Sequence, residues 1–221
     1  MTTTSGFEAE SERVARHLRD EIIDGRRRPG SKLVERDLAA ELGVSRVPVR
    51  DALRTLVAEG LVTARPRTWA VVRTFTPADV EDLHEIRSAI EVLAFRLAAQ
   101  RWDEAGLARL RADLDRQLSA ARAGDAVEAR RAAADFHETV TALAGNELLS
   151  EIGHLLHSRM RWLLGQHDDL MGVAREHVDL YDAIAARDLA RVEALASDHV
   201  AGSFDTAIAH LAAMAGSETK D

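Results

Sequence analysis

Apolar residues recur at helical spacing along most of the 221-residue chain, and the rhythm changes near residue 76. Residues 11–24 place Val14, Leu18, Ile22 and Ile23 near one face and stop at Gly25, which predicts an amphipathic helix. A second helix is expected from about 34 to 41, with Leu38 and Leu42 inward and Gly43 as its breaker. Ser45 is placed to cap a third helix running to about Glu59. Pro48 falls in its first turn, where a missing N–H costs little. Val49, Leu53, Leu56 and Val57 make its buried stripe. After Gly60, Leu61-Val62-Thr63 and residues 69–72 read as two short strands joined by the basic turn 64–68, with Trp69 packing at their base. Residues 1–75 are thus expected to form a winged helix-turn-helix.

Beyond residue 75 the period is helical throughout. Thr76 caps and Pro77 starts a helix that carries Val80, Leu83, Ile86, Ile90, Leu93 and Leu97 at helical spacing. Further helices are expected near 103–122, 125–143, 146–165, 170–186 and 188–212. Their breaks fall at Gly124, Gly145-Asn146, Gly165-Gln166 and Arg187-Asp188. Short connections between six helices imply an antiparallel bundle over 76–214, followed by a disordered tail at 215–221. The expected fold class is mainly α, a small reader joined to a larger all-helical unit.

No run of 18 apolar residues occurs, the start lacks a secretory pattern, and there is no cysteine, so a cytoplasmic protein without disulfides is expected. The net charge of -8 is unevenly distributed. Residues 1–75 hold 14 Lys/Arg against 11 Asp/Glu, and residues 76–221 hold 15 against 26. A phosphate-facing head on an acidic body fits that division. Arg46 and Arg50, four apart in the first turns of the third helix, would face the DNA; their ordinary alternative is a solvated face paired with Glu or Asp. Arg36, at the start of the preceding helix, is a third candidate, Ser45 lies between, and Arg65 and Arg67 extend the basic surface into the wing.

His137, His177 and His199 lie one each in three predicted helices, an arrangement from which a bundle can build a metal site. The alternative is three histidines satisfied by ordinary hydrogen bonds. His154, His157, His167 and His210 read as surface or packing residues.

The run GVSRVPVRDAL at 43–53, with Pro29-Gly30, Glu35-Arg36 and Glu59-Gly60-Leu61-Val62 around it, resembles the DNA-binding domain of GntR-family transcriptional regulators. That resemblance implies that Arg36, Arg46 and Arg50 contact operator DNA. The family's wing usually carries a Gly-rich turn, where this chain has Arg67-Thr68-Trp69-Ala70-Val71. Residues 76–214 resemble the FCD ligand-binding domain of the FadR subfamily, through Leu83-His84-Glu85-Ile86-Arg87 with Glu91, Phe136-His137 with Gly145-Asn146, and Glu176-His177 through to His199. Six helices match its shorter, VanR-like branch.

The resemblance implies a homodimer that binds double-stranded operator DNA, a repressor released by a small organic acid. It also implies one divalent metal (Zn, Ni or Mn) per subunit on His137, His177 and His199. The family's acidic ligand would stand one turn before His137, where this chain has Ala133; Asp135 is two residues from His137 and points to another side of the helix. Arg87 is expected to grip the effector's carboxylate or else to pair with Glu91, one turn along. Two rival readings are a regulator whose bundle is only a dimerisation scaffold and a metal-dependent enzyme. The second lacks an evident general acid or base beside the histidines.

Overall fold

The computed structural model describes residues 9–65 and 69–218. Its contacts divide into one unit ending at Phe75 and another beginning at Thr76.

The first unit runs α1 (Glu10–Ile23), β1 (Lys32–Val34), α2 (Glu35–Leu42), α3 (Arg46–Ala58), β2 (Val62–Arg65) and β3 (Trp69–Val72). The stripe foreseen on α1 is buried through Val14, Leu18 and Ile22, against the inward Val49, Leu53 and Leu56 of α3, whereas Val57, expected in the α3 stripe, is exposed. Gly43 closes α2 at φ 65, a left-handed turn that a side chain would strain, and it sets the bend into α3. The strands form one antiparallel sheet in the order β1-β3-β2. Periodicity had offered only the two strands of the wing; β1 is three residues long, too short to display an alternation. Its Leu33, fully buried, pairs with Ala70 across the ladder and anchors the sheet to the core.

The second unit holds α4 (Pro77–Arg101), α5 (Glu104–Ala123), α6 (Ala126–Leu143), α7 (Glu147–Leu164), α8 (Leu170–Ala185) and α9 (Leu189–Glu218). It is a six-helix bundle. Thr76 and Asp79 exchange hydrogen bonds in a capping box at the start of α4. Asp103, Asp125, Asn146 and Asp169 cap the next four helices with their side chains. The helix expected to stop near 212 continues to Glu218, carried through Gly216 by the alanine-rich turns before it. Residues 215–218, assigned to a disordered tail, are therefore helical.

Phe95, Leu110, Leu114, Phe136, Leu180 and Ile184 are almost wholly removed from solvent. Each such side chain contributes about 1.5–3 kcal/mol of burial. Arg187 fastens one end of this core. Its backbone takes the left-handed φ of 54, unfavourable for a non-glycine residue. Its guanidinium lies 4.1 Å from the Trp102 ring and donates to the carbonyls of Ala99, Gln100 and Trp102 at the end of α4. Among the described residues no helix is long and apolar enough to cross a membrane.

Candidate functional site

Two groups of side chains stand out, one in each unit. In the first, α3 presents Arg46, Val47 and Arg50 on its exposed side, while Val49 and Leu53 turn into the core. Both arginines meet one carboxylate. Glu35, the first residue of α2, accepts from Arg50 Nε at 2.9 Å and Nη2 at 2.8 Å, and Arg46 Nη2 lies 3.6 Å from the same group. The Arg50 hydrogen bond lowers the Glu35 carboxyl below its ordinary value, against a smaller opposing effect of burial. Arg36 is exposed and pairs with Asp37 at 2.9 Å. Ser45 occupies the cap position of α3 but makes no capping hydrogen bond with its side chain. Arg65 ends β2 in an exposed position, and Arg67 lies outside the described residues.

In the second unit, α6, α8 and α9 bring His137, His177 and His199 together in the buried interior, with one ring nitrogen from each within 4.8 Å of the others. His137 Nε2 is 3.2 Å from His199 Nε2, and the buried His177 Nε2 has no hydrogen-bond partner. The opposite edges of the rings face oxygen atoms. His177 Nδ1 is 2.7 Å from Gln117 Oε1, and His199 Nδ1 is 2.6 Å from Glu176 Oε2. His137 Nδ1 faces Glu91 Oε1 at 3.3 Å without completing a hydrogen bond. Stacking fixes the planes: Phe136 lies flat on His177 at 4.4 Å, and Phe95 meets His137 edge-on at 5.7 Å.

Burial, followed by the charges of His199 and His137, pushes His177 well below its usual pKa. Burial also lowers His199, with Glu176 opposing. Both rings are therefore neutral at pH 7. A neutral ring that donates from Nδ1 presents a lone pair at Nε2. His137 Nε2 and His199 Nε2 stand within hydrogen-bond distance of each other, one proton shared between them or a cation in its place satisfying both, and three converging imidazoles are a donor set that fits a divalent ion.

The acidic ligand missing at Ala133 is not replaced from the same helix. Ala133 is buried, and Asp135 is held by Arg116 and Arg161. Besides Glu176, which lies against His199, the cluster meets one buried acid among the described residues, Glu91. Burial alone would raise its carboxyl, but Arg87 and then His137 hold it well below the usual carboxylate range. Arg87, with no exposed surface, gives only Nε to Glu91, at 2.9 Å; Nη1 and Nη2 are buried without hydrogen-bond partners. Of the two alternatives in the sequence, the pairing with Glu91 is present, and it leaves both Nη atoms of Arg87 buried without hydrogen-bond partners.

A cavity of ≈ 180 Å³ opens between α4, α6 and α7, with His137 and Glu91 in its wall beside Ile90, Leu149, Met160 and Leu164. Arg87 does not line it. His167, read as a surface or packing residue, lies 3.1 Å from Ser203 Oγ, and burial lowers its pKa to about 4. Periodicity pointed to none of Glu35, Gln117 and Glu176 as a partner of these groups.

Comparison with known proteins places both units. The model for bacterial regulatory proteins of the gntR family matches residues 10–72, and the FCD domain model matches residues 82–202. A probable D-xylose utilization operon transcriptional repressor of Paenarthrobacter nicotinovorans is 32% identical over 85% of this chain and 86% of its own. The HTH-type transcriptional regulator YdhC of Bacillus subtilis is 30% identical over 88% of this chain and 87% of its own. Among solved structures, a GntR transcriptional regulator from Rhodococcus sp. RHA1 superposes with a TM-score of 0.78 at 27% identity, covering 91% of this chain and 99% of that one. McbR/YncC of E. coli shares the fold with a TM-score of 0.77 at 22% identity, over 94% and 99% of the two chains.

Proposed function

The chain belongs to the gntR family of bacterial regulatory proteins and carries an FCD domain, and from that premise we propose how a transcriptional regulator of the FadR subfamily, shorter VanR-like branch, divides its work between two units. Residues 1–75 read DNA, and residues 76–214 bind the effector and dimerise. A homodimer sets two copies of α3 into the half-sites of a double-stranded operator. Arg46 and Arg50 reach the base edges, Arg36 supports them from α2, and Ser45, Arg65 and Arg67 meet the sugar-phosphate backbone. The start of α3, without a side-chain cap, leaves backbone N–H groups for a phosphate.

His137, His177 and His199 hold one Zn, Ni or Mn ion per subunit. When bound, the ion anchors and polarises a carboxylate oxygen. The effector is a small organic acid, whose carboxylate also meets the Nη edge of Arg87 and whose body has room beside His137. Its binding favours a dimer that has left the operator, to the extent that its affinity differs between the two states. The observation that carries this reading is the convergence of one ring nitrogen from each of three buried imidazoles, joined through Glu91 to a buried arginine with two unpartnered nitrogens.

Selection of duplexes from a random pool, repeated with metal-loaded protein and a panel of small organic acids, tests it. A palindromic site released by one acid is expected. A site bound equally with and without every acid would reduce the bundle to a dimerisation scaffold.

A further inference from the structure

The three histidines are distinguished by what stands behind them. Each turns Nδ1 toward a side-chain oxygen from a helix other than its own. Gln117 of α5 backs His177 of α8 at 2.7 Å, and Glu176 of α8 backs His199 of α9 at 2.6 Å. Glu91 of α4 backs His137 of α6 at 3.3 Å. We propose that Gln117 and Glu176 are positioning residues of a three-histidine metal centre, each accepting from Nδ1–H so that the Nε2 atoms of His177 and His199 turn inward, while Glu91, 3.3 Å from His137 Nδ1, stands behind the third ring. The inference rests on the metal reading above and goes beyond it by assigning the residues that build the centre.

The alternative role for Glu91, as a substitute for the acid absent at Ala133, fails on geometry. Its Oε1 faces the Nδ1 edge of His137, and its Oε2 accepts from Arg87 Nε at 2.9 Å. The two nitrogens of an imidazole point away from each other. A carboxylate on the Nδ1 edge therefore cannot share the ion held by Nε2 of the same ring. Glu91 instead stands between the ring of His137 and the guanidinium of Arg87.

Neighbours in sequence serve different rings. Glu176 and His177 are adjacent on α8 and so point about 100° apart around the helix. His177 enters the interior, while Glu176 reaches the edge of His199 and keeps 54% of its side chain exposed. Gln117 is 1% exposed, and its buried Oε1 is satisfied by the ring it orients. Outer partners of this kind fix the tautomer and raise the basicity of the ligating nitrogen, and their loss weakens metal binding about 10–100-fold.

The test is competition titration of the full-length protein with Zn and Co(II) against a chromophoric chelator, with thermal melts of the metal-free proteins alongside. The set is wild type, Glu176→Ala, Gln117→Leu and Gln117→Glu. Glu176→Ala and Gln117→Leu are expected to lose about 10–100-fold in affinity. Gln117→Glu restores an acceptor and is expected to bind at least as tightly as wild type. Glu176→Ala removes a half-exposed side chain and leaves the core intact, so it decides the matter even where Gln117→Leu folds poorly. Wild-type affinity in Glu176→Ala, with any change confined to the metal-free melt, would overturn the positioning role. Failure of the wild type to bind either ion would overturn the metal reading itself.

Discussion

Glu35 holds Arg50 through both carboxylate oxygens, at 2.9 and 2.8 Å, on the surface where Arg46 also stands free of the core. A carboxylate among DNA-facing arginines repels phosphate, so its presence needs a compensating effect. The bidentate geometry supplies one. It fixes the plane of a guanidinium that would otherwise sample many rotamers, lowering the entropy lost when that group meets a base. Glu35→Ala should therefore weaken binding to the selected operator while strengthening binding to an unrelated duplex, with a salt slope steeper by about one counterion. Fluorescence anisotropy on both duplexes over a salt series measures this. Equal changes on the two duplexes would leave Glu35 as a surface charge and nothing more.

Arg46→Ala and Arg50→Ala should each strongly weaken specific binding while leaving the fold intact. Their side chains are 58% and 45% exposed, and no core contact depends on them. Loss of a base contact of this kind costs about 1–3 kcal/mol, roughly one to two orders of magnitude in affinity. Gel shifts on the selected site, with thermal melts of the same proteins, separate the two effects. Wild-type affinity in either variant would remove that arginine from the reading set.

The Glu35–Arg50 pair also makes a statement about pH. The Glu35 carboxyl is lowered below its ordinary value, chiefly by its hydrogen bond to Arg50. A group whose folded pKa is depressed contributes stability that is present above its unfolded pKa and lost as pH falls through the folded one. The melting temperature of wild type should exceed that of Glu35→Gln by a constant margin from pH 7 down to about the ordinary glutamate value near 4.3, and the margin should close below it. Paired melts across that range show it. A margin that widens on acidification would contradict the sign.

The helices were legible because their signals are local. Gly43 and Gly124 break the pattern where a left-handed residue is required, and Thr76-Pro77 announces a start that the capping box fulfils. His137, His177 and His199 could be singled out because one histidine per helix is a pattern readable along the chain, although sequence left open whether they meet. What stands behind them was not legible. Gln117 lies 60 residues from His177 and Glu176 lies 23 from His199, and a 3.6-residue period says which face is inward without saying which helix lies opposite. The strand at Lys32–Val34 was hidden for a different reason: its partners, Trp69–Val71, are far along the chain, and three residues carry no period. Asp135 behaved as helical geometry requires, turning to Arg116 and Arg161 and away from the ring of His137.

Ala133 offers the sharpest test of the centre as a whole. It is buried on α6, one turn before His137 and on the same side of the helix, 4% exposed. Ala133→Asp puts a carboxylate where the chain has a methyl group. Without an ion the new charge stands in the interior with no built partner, and the metal-free protein should lose several kcal/mol of stability or take up a proton at neutral pH. With an ion the same charge becomes a fourth protein ligand beside three imidazoles. Zn should then raise the melting temperature of the variant more than that of wild type, because a ligand that binds only the folded state stabilises it in proportion to RT ln(1 + [L]/Kd). Melts in chelator and in excess Zn, run on both proteins, give the comparison. An equal rise in the two would mean that position 133 does not face the ion. No rise in either would mean that His137, His177 and His199 converge for packing alone.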